Sequence, residues 1–481
     1  MLERDRFYIN GQWVASAGSG RIDVVNPATE EQIARVAAAS AEDVDRAVAA
    51  AEAASSGWAA KTMAERGDYL ARIVERLRAK TDELVRVVAM DIGMPVRLAK
   101  RMQVQLPIAI LESYVGYARE YRTEERIGNS LVTRTPVGVV ACITPWNYPL
   151  FQIATKIGPA LIAGCTVVLK PSEVAPLVTY LLAEAVDEAG LPPGVFNLLM
   201  GDASAGAALV NHAKVRAISF TGSTAAGEKI GETAARQLKR VALELGGKSP
   251  SLLLDDADFA LAVKSTVSSC FLNSGQTCLA LTRMLVPRSR YQEAAELAVA
   301  ATRKLTLGAP DDEQAKLGPL VSAVQQSRVQ AYIRKGIEEG ATLLVGGAGR
   351  PAGFARGYYV QPTVFGEVSP ESTIAREEIF GPVLSIIPYQ DEAEAIRIAN
   401  GTQYGLSGAV WSKSDERAFA VARQIQSGQV EVNGGAFNLA APFGGLKKSG
   451  LGKELGMHAI DEFVEIKSIQ LPEQSALLNP G

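Results

Sequence analysis

The sequence predicts an α/β protein with two regions in which strands and helices alternate, together with two antiparallel arms. Between residues 137 and 246, short apolar runs rich in Val and Ile alternate with helical segments, a pattern typical of a parallel sheet with helices on both faces. A second alternating region follows Gly247. The 481 residues, 47% hydrophobic and 21% charged, are enough for about three domains with packed cores.

The first third of the chain is predicted to be helical. Ser40 with Asp43, and Thr62 with Glu65, have the spacing of N-terminal capping boxes ahead of two amphipathic stretches. The second stretch carries apolar residues at helical spacing, which predicts one buried face: Leu70, Ile73, Val74 and Leu77.

The strands and helices of residues 137–246 alternate along the chain. The predicted strands are VGVVACI, TVVLK, GVFNLL, VRAISF and RVALEL. The helices between them are FQIATKIGPALIAG, APLVTYLLAEAVDEAG, SAGAALVNH and TAAGEKIGETAARQL. Because open parallel sheets bind ligands outside the carboxyl ends of their strands, this region predicts a nucleotide-binding domain.

The second alternating region predicts another α/β domain. It runs through TVSSCFLNSGQTC, TRMLVP, ATLLVGG, SGAVWS and GQVEVN. The two arms are predicted at NSLVTRTP and at the terminal EFVEIKSIQLP. Because an unpaired apolar strand edge invites aggregation, we expect these arms to pair between subunits of a homo-oligomer.

Composition and charge exclude several classes of function. The net charge of −3 predicts no surface for nucleic acid, and no apolar run has the length of a membrane span. The N-terminal segment MLERDRFYINGQW lacks the apolar core of a signal peptide. Four cysteines without CxxC spacing argue against a disulfide framework or a zinc site, so we expect a cytoplasmic protein without a bound metal. Neither His212 nor His458 has a second histidine three or four residues away, and both are interpreted as surface or hydrogen-bonded histidines, so the chemistry is expected to proceed without histidine.

Single glycine motifs carry little weight here. GAGRPA (347–352) fits a dinucleotide pattern but is followed by no predicted helix, so it is interpreted as a loop. FTGSTAAG (220–227) lies between a predicted strand and a helix, where backbone N–H groups favour phosphate. Taken alone, an ordinary capped turn explains it equally well.

Seven motifs in a fixed order are more specific: TPWNYP (144–149), LKPSE (169–173), FTGSTAAG (220–227), LELGGKSP (243–250), FLNSGQTC (271–278), EEIFGP (377–382) and PFGGLKKSG (442–450). With them the chain resembles the NAD(P)-dependent aldehyde dehydrogenase superfamily over essentially its full length. The resemblance implies a Rossmann-type parallel-sheet cofactor domain, a second α/β catalytic domain and a small antiparallel oligomerisation arm. The implied boundaries are 1–118 and 137–246 for the cofactor domain, 247–447 for the catalytic domain, and 119–136 and 448–481 for the arm.

The resemblance also implies four catalytic residues. Cys278, in the GQxC pattern, matches the thiol nucleophile, which attacks an aldehyde carbonyl and forms a thiohemiacetal. Glu244 in LELGG matches the general base, for which partial burial would raise the pKa. Asn147 in WNYP matches the donor that stabilises the oxyanion together with the Cys278 backbone N–H. Glu454 in KELG matches a glutamate proposed to assist proton relay.

For the cofactor, the resemblance implies NAD, with NADP left open by Lys170. A carboxylate at Glu173 accepts both adenosine ribose hydroxyls and repels a 2′-phosphate. Glu378 is expected on the nicotinamide ribose and Phe380 beside the nicotinamide ring. The full set of implied cofactor residues is Ile143, Thr144, Pro145, Trp146, Lys170, Ser172, Glu173, Gly222, Ser223, Leu245, Glu378 and Phe380.

The implied substrate tunnel is mainly apolar. Its residues, by register with the motifs, are Tyr148, Phe151, Gln152, Thr155, Thr277, Leu279, Phe437 and Phe443. The aromatic side chains favour an apolar aliphatic or aromatic aldehyde. Since no arginine stands at these positions, a semialdehyde with a distant carboxylate is less favoured.

Four functions remain as alternatives. The first is oxidation of an aldehyde to the carboxylic acid with NAD and water, in a homodimer or homotetramer. The second is an acylating dehydrogenase that passes the thioester to coenzyme A; such relatives lack the glutamate that stands here at 244. A cysteine hydrolase would need a histidine base. A catalytically inactive binding or structural protein would have lost Cys278 or Asn147, and both are present.

Overall fold

The computed structural model describes residues 2–472 and Ser475. Residue 1 of the predicted cofactor domain and residues 473, 474 and 476–481 of the predicted arm lie outside the described residues. The strands are β1 (Leu2–Arg4), β2 (Arg6–Ile9), β3 (Gln12–Ala15), β4 (Arg21–Val25), β5 (Gln32–Ala37), β6 (Glu124–Ile127), β7 (Ser130–Pro136), β8 (Val139–Ile143), β9 (Thr166–Lys170), β10 (Phe196–Leu198), β11 (Val215–Thr221), β12 (Arg240–Glu244), β13 (Pro250–Leu253), β14 (Arg283–Pro287), β15 (Thr342–Val345), β16 (Thr363–Gly366), β17 (Val383–Tyr389), β18 (Ala409–Trp411), β19 (Glu431–Val432), β20 (Gly450–Leu451) and β21 (Val464–Gln470).

Fifteen α-helices are present in the described part of the chain. They are α1 (Ala41–Ala59), α2 (Met63–Ala79), α3 (Thr81–Ile92), α4 (Val96–Ala99), α5 (Leu106–Glu120), α6 (Pro149–Ala163), α7 (Leu177–Glu188), α8 (Ala203–Asn211), α9 (Thr224–Arg236), α10 (Phe259–Phe271), α11 (Tyr291–Thr302), α12 (Ala323–Glu338), α13 (Thr373–Arg376), α14 (Glu392–Asn400) and α15 (Asp415–Ala422). A π-helical turn, Lys100–Gln105, joins α4 to α5. Turns of 3-10 helix span Leu272–Gly275, Arg288–Arg290, Lys447–Ser449 and Met457–Phe463.

The predicted parallel sheet is confirmed. Eight strands lie in the order β20-β12-β11-β8-β9-β10-β2-β3, and the five from β12 to β10 are mutually parallel. Register pairs Ile143 with Lys170 and with Phe220, and Thr221 with Glu244. The carboxyl ends of these strands therefore meet at one edge of the sheet, where four of the predicted motifs begin.

The second α/β sheet is also present, with the order β15-β16-β17-β14-β13-β18-β19. All neighbours in it are parallel except β15, which runs antiparallel to β16. Its two faces carry separate apolar cores. Strands β13, β16 and β17 were not among the sequence predictions. GAGRPA forms a loop after β15, as the sequence analysis expects.

The two predicted arms are antiparallel strands that pair with each other inside one chain. Strand β21 pairs with β7 from Val464 opposite Pro136 to Gln470 opposite Ser130, and β6 flanks β7 on the other side. Ile466 on β21 is 65% exposed. Residues 450–451, within the predicted arm, instead form β20 at the edge of the eight-stranded sheet. Pairing of the arms between subunits stays a prediction.

The N-terminal third differs from the prediction because it begins with strands. Strands β1, β5 and β4 form a sheet of their own, and β2 and β3 extend the eight-stranded sheet by pairing with β10. Such pairing joins segments far apart in the chain, so local periodicity does not reveal it. The helices that follow match the prediction: Ser40 and Thr62 both close capping boxes, and the predicted apolar face of α2 is buried.

No helix in the described residues is both long and apolar enough to cross a bilayer.

Candidate active site

The turn after α10 is backbone-strained and leads directly to Cys278. Asn273, Ser274 and Gly275 have φ values of 52°, 55° and 76°. Left-handed backbone is unfavourable for residues with a Cβ, so two such residues in a row need support from their surroundings. A Cβ on Gly275 would lie 2.1 Å from the carbonyl oxygen of Gly381, which explains why glycine is needed there.

Hydrogen bonds supply that support. The Asn273 side-chain amide donates to the backbone oxygen of Asn147 at 3.1 Å. Gln276 accepts from the Val321 N–H at 2.9 Å and donates through Nε2 to the Asn273 carbonyl at 3.1 Å. Every polar atom of the Gln276 side chain thus has a partner. The segment before the nucleophile is held in one geometry.

Asn147 follows β8 and faces this segment. Its Nδ2 donates to the Gln276 carbonyl at 3.0 Å, and the side chain is buried. Its own carbonyl accepts from Gln103 Nε2 at 3.0 Å, and Gln103 belongs to the π-helical turn. Asn147 is therefore held through both its side-chain nitrogen and its backbone oxygen. The residue that its side chain contacts, Gln276, stands two positions before Cys278.

Cys278 itself is half-buried and uncharged at neutral pH. Burial, followed by the carboxylates of Glu378 and Glu244, raises the pKa of the Cys278 thiol to about 12. The backbone N–H groups of Cys278 and Leu279 oppose that pKa rise. A Cβ on Gly247 would lie 2.5 Å from the Cys278 carbonyl oxygen, so the LELGG segment passes directly behind the nucleophile. Attack on a carbonyl requires thiolate, and therefore a base.

Glu244, at the end of β12, is a buried carboxylate without a partner. It is 4% exposed, and neither of its oxygens has a hydrogen-bond partner among the described residues. Burial and then the charge of Glu454 raise its pKa well above the usual value, while Lys156 acts in the opposite direction. A Cβ on Gly444 would lie 2.6 Å from Glu244 Oε1, so glycine there leaves the carboxylate its space. An unsatisfied buried acid of this kind is poised to bind water and to exchange a proton.

Lys156 and Glu454 form a buried ion pair beside Glu244. Lys156 lies on α6, is fully buried, and was not singled out in the sequence. A lysine within the apolar stretch FQIATKIGPALIAG was the signal that could have identified it. The backbone of Glu454 exchanges hydrogen bonds with that of Phe443, at 2.6 and 2.7 Å, which links this pair to the tunnel wall.

The predicted cofactor residues converge on the carboxyl edge of the eight-stranded sheet. The Thr144 N–H donates to the Lys170 carbonyl at 3.1 Å, which joins the ends of β8 and β9. Lys170 Nζ donates to the Gly201 carbonyl at 2.6 Å and lies 3.5 Å from Glu173 Oε2. Ser172 adjoins this pair, and Ile143 and Pro145 flank Thr144. Lys170 and Glu173 thus form a polar pair at this edge of the sheet.

The start of α9 completes this side. Ser223 caps the helix by accepting from the Ala226 N–H, and Gly222 donates to the Glu244 carbonyl at 3.0 Å. Leu245 packs against α9 so closely that a Cβ on Gly227 would lie 2.3 Å from Leu245 Cδ2. A helix N-terminus with a serine cap is suited to phosphate oxygens.

Glu378 and Phe380 reach the cleft from the second domain. The Gly247 N–H donates to Glu378 Oε1 at 2.9 Å, and burial raises the pKa of Glu378. The Phe380 and Trp146 rings meet edge to face, with centroids 5.4 Å apart. The buried hydroxyl of Thr144 has no partner among the described residues. Three features together fit a bound dinucleotide: a carboxylate at Glu173 that can accept from ribose hydroxyls, the helix start at Ser223, and the Thr144 hydroxyl.

A cavity of about 600 Å³ leads to Cys278. Seven of the eight predicted tunnel residues line it: Tyr148, Phe151, Gln152, Thr277, Leu279, Phe437 and Phe443. Thr155 does not line this cavity; it is buried within α6 and donates to the Gln152 carbonyl at 3.1 Å. The Tyr148 hydroxyl lies 2.8 Å from Thr277 Oγ1, and the Phe437 and Phe443 rings are 6.1 Å apart. The tunnel is thus largely apolar, with four aromatic side chains in its wall.

Ten further lining residues were missed by the sequence analysis: Arg101, Met102, Gln105, Leu106, Ala109, Ser269, Leu272, Glu431, Ala436 and Leu439. The first five lie on the π-helical turn and α5. Turns of this type are often found at functional sites, but no sequence motif marks this one. An arginine does therefore line the tunnel, from an element that the motifs do not reach.

No group of three or more His, Cys, Asp or Glu that could hold a metal ion exists among the residues described.

Comparisons of this chain with known proteins all indicate the same family. The model of the aldehyde dehydrogenase family matches residues 13–469. A 3-succinoylsemialdehyde-pyridine dehydrogenase of a Pseudomonas species is 48% identical, over 98% of this chain and 99% of its own length.

Solved structures of aldehyde dehydrogenases are also similar to this chain. A cysteine-to-alanine mutant of aldehyde dehydrogenase C from Pseudomonas syringae, in complex with NAD⁺ and octanal, is 47% identical with a TM-score of 0.96, over 97% of this chain and 96% of that chain. An aldehyde dehydrogenase of Mycobacterium tuberculosis in complex with NAD⁺ is 42% identical with a TM-score of 0.97, over 98% and 99% of the two chains.

Proposed function

The chain belongs to the aldehyde dehydrogenase family, and from this premise we propose that it oxidises an aldehyde to the carboxylic acid with NAD and water, through Cys278. One observation carries the proposal. A thiol in the wall of a largely apolar tunnel lies close to a buried side-chain amide and to a buried carboxylate that has no hydrogen-bond partner among the described residues: Cys278, Asn147 and Glu244. These are the three groups that thiol-mediated aldehyde oxidation needs.

The first step is activation and attack by the thiol. The raised pKa of Cys278 means that the proton must leave to a base, and Glu244 has a raised pKa and two free oxygens. A water between them would carry the proton. The sulfur then bonds to the carbonyl carbon, while Asn147 Nδ2 and the Cys278 N–H donate to the developing oxyanion.

When bound, NAD supplies the two-electron acceptor for the hydride that leaves the thiohemiacetal carbon. Residues of this chain would hold it in position: Glu173 accepts from the adenosine ribose, the start of α9 at Ser223 binds the pyrophosphate, and Glu378 accepts from the second ribose. The Phe380 ring, which packs against Trp146, would close the cleft beside the nicotinamide.

Hydrolysis of the resulting thioester is assigned to Glu244. Its carboxylate accepts a proton from water as the oxygen bonds to the thioester carbon, and the Cys278 sulfur leaves. The Lys156–Glu454 pair modulates this step, because both charges act on the pKa of Glu244. A base that must gain and lose a proton benefits from having no fixed ion-pair partner.

The substrate class is an apolar aliphatic or aromatic aldehyde. The tunnel presents Tyr148, Phe151, Phe437 and Phe443 to the substrate, which supports such a tail. The Pseudomonas syringae relative was crystallised with octanal, and the Pseudomonas sp. relative carries a pyridine compound in its name. Octanal has an apolar chain behind its aldehyde, and pyridine is an aromatic ring.

We further propose NAD rather than NADP as the working cofactor, because the carboxylate of Glu173 would repel a 2′-phosphate. The chain is proposed to act as a homodimer or homotetramer in the cytoplasm. Exposed Ile466 and Ile127 on the β21-β7-β6 sheet support assembly through that sheet.

The test is formation of NADH by the purified protein with a panel of aliphatic and aromatic aldehydes, with and without coenzyme A. We expect turnover that is independent of coenzyme A and absent from the Cys278→Ala variant. Acyl-coenzyme A as the product would favour the acylating alternative. Unimpaired turnover by Cys278→Ala would refute the role of the thiol, and no turnover despite NAD binding would indicate an inactive relative.

A further inference from the structure

The tunnel contains a charged group that the proposed reaction does not use. Glu431 forms strand β19 with Val432, and the valines on either side of it, Val430 and Val432, pack into the core of the second domain. Because side chains alternate across a strand, Glu431 projects from the opposite face. That face lines the same cavity as Cys278.

No hydrogen bond or ion pair within the described residues offsets the charge of the Glu431 carboxylate. The side chain is half-buried. Burial alone raises its pKa. A half-buried charge in a largely apolar wall is unfavourable unless a ligand or water interacts with it. The missing partner can come from the substrate, which is the mobile component of this tunnel.

Arg101 is the other charged residue in the tunnel wall, and it does not neutralise Glu431. No ion pair joins the two side chains within the described residues, and Arg101 is exposed at the surface of the π-helical turn. Solvent screens an exposed charge much more than a half-buried one. The electrostatic selectivity of the tunnel is therefore expected to follow Glu431.

We propose that Glu431 selects aldehydes by the charge at the end remote from the carbonyl, favouring a cationic or hydrogen-bond-donating tail and opposing a carboxylate tail. This inference rests on the proposed function and specifies its substrate class. It adds a polar requirement to the apolar tunnel: an aliphatic or aromatic body followed by a basic nitrogen or a donor. An aldehyde with a carboxylate tail facing Glu431 would bind poorly, because the two negative charges repel each other and because the tail would lose its hydration water.

The test uses two pairs of aldehydes that differ in charge but hardly in shape. One pair ends in a trimethylammonium group or in its neutral tert-butyl isostere, and the other ends in a carboxylate or in its methyl ester. The quantity measured is the ratio of kcat/KM within each pair, with NAD, so that the fraction of active enzyme cancels. Wild type is compared with Glu431→Gln and Arg101→Gln, and with Glu338→Gln at the exposed end of α12 as a control for charge loss outside the tunnel.

In Glu431→Gln we expect the ammonium-to-tert-butyl ratio to fall about tenfold and the carboxylate-to-ester ratio to rise about tenfold. Arg101→Gln should move both ratios in the opposite direction by a smaller factor, and Glu338→Gln should leave them unchanged. Ratios in Glu431→Gln that match wild type, or that match Glu338→Gln, would overturn the proposal. Absence of NADH formation from all four aldehydes in wild type would instead refute the proposed function itself.

Discussion

The two sides of the cleft around Cys278 differ in whether their polar groups are hydrogen-bonded to the protein. On the nucleophile side, residues 272–278 form a strained turn in which the Asn273 side-chain nitrogen and both polar side-chain atoms of Gln276 are hydrogen-bonded. On the base side, Glu244 is buried, and neither of its oxygens is hydrogen-bonded to a residue that the structure describes. The left-handed backbone of residues 273–275 is conformationally unfavourable, and the buried carboxylate of Glu244 is electrostatically unfavourable.

The difference follows from what each side must do. A nucleophile has to meet a carbonyl carbon in one geometry, so the turn is fixed by hydrogen bonds on several sides. A base has to bind water and change its protonation state, so partners that fixed its charge would impair it. The nearby Lys156–Glu454 pair, whose charges satisfy each other, shows that this fold can provide a partner for a buried carboxylate.

The largest expected effect tests the base side. Glu244→Gln keeps the shape and removes the proton acceptor, so hydrolysis of the thioester should slow by about 10³-fold. Rapid-mixing measurements with an aldehyde and NAD should still reveal a burst of NADH approaching one per active site, followed by very slow turnover. Loss of the burst together with turnover would mean that Glu244 is needed already for activation of the thiol.

The next effect tests the donor that joins the two sides. Asn147→Ala removes one oxyanion donor, and kcat should fall by about 10²-fold to 10³-fold. Asn147→Asp is the matched control, since it keeps the size but places a negative charge beside the oxyanion, and it should be slower still. Equal activity in wild type and Asn147→Ala would exclude the side-chain amide from the oxyanion site.

Stability should change in opposite directions on the two sides. Gln276→Leu leaves the Val321 N–H without its partner and removes one of the two hydrogen bonds to the Asn273 carbonyl, so the free energy of unfolding should fall by about 1–3 kcal/mol. Glu244→Gln should instead raise the melting temperature. The folded-state pKa of Glu244 is raised, so wild type loses stability as the pH rises above about 4.5, and the gain from Glu244→Gln should therefore grow with pH. Thermal denaturation at acidic and alkaline pH would detect this; a gain that shrinks as the pH rises would contradict it.

The smallest effect is a shift in the pH profile of thioester hydrolysis. Glu454 raises the pKa of Glu244, so Glu454→Gln should lower it and move the acidic limb of the profile to lower pH. The double variant Lys156→Met/Glu454→Gln should return part of the way, because Lys156 acts in the opposite direction. An acidic limb that stays in place or moves to higher pH in Glu454→Gln would show that the pair is not coupled to the base.

Local patterns in the sequence were enough for much of the fold. The capping boxes at Ser40 and Thr62 and the parallel sheet formed by residues 137–246 could be predicted because each depends on residues close in the chain. The strands of the N-terminal third could not, since β2 is stabilised by pairing with β10 rather than by its own periodicity. The same reason explains why β16 and β17 were missed.

The candidate site divides in the same way. The motifs that surround Cys278, Glu244 and Asn147 are contiguous segments, and the sequence by itself determined which residue types stand there and the family they indicate. Only the tertiary structure decided that Glu244 has no partner, that Lys156 pairs with Glu454, and that Glu431 faces the tunnel. Burial and electrostatic environment are set by segments that meet in space from distant parts of the chain, and no local pattern contains that information.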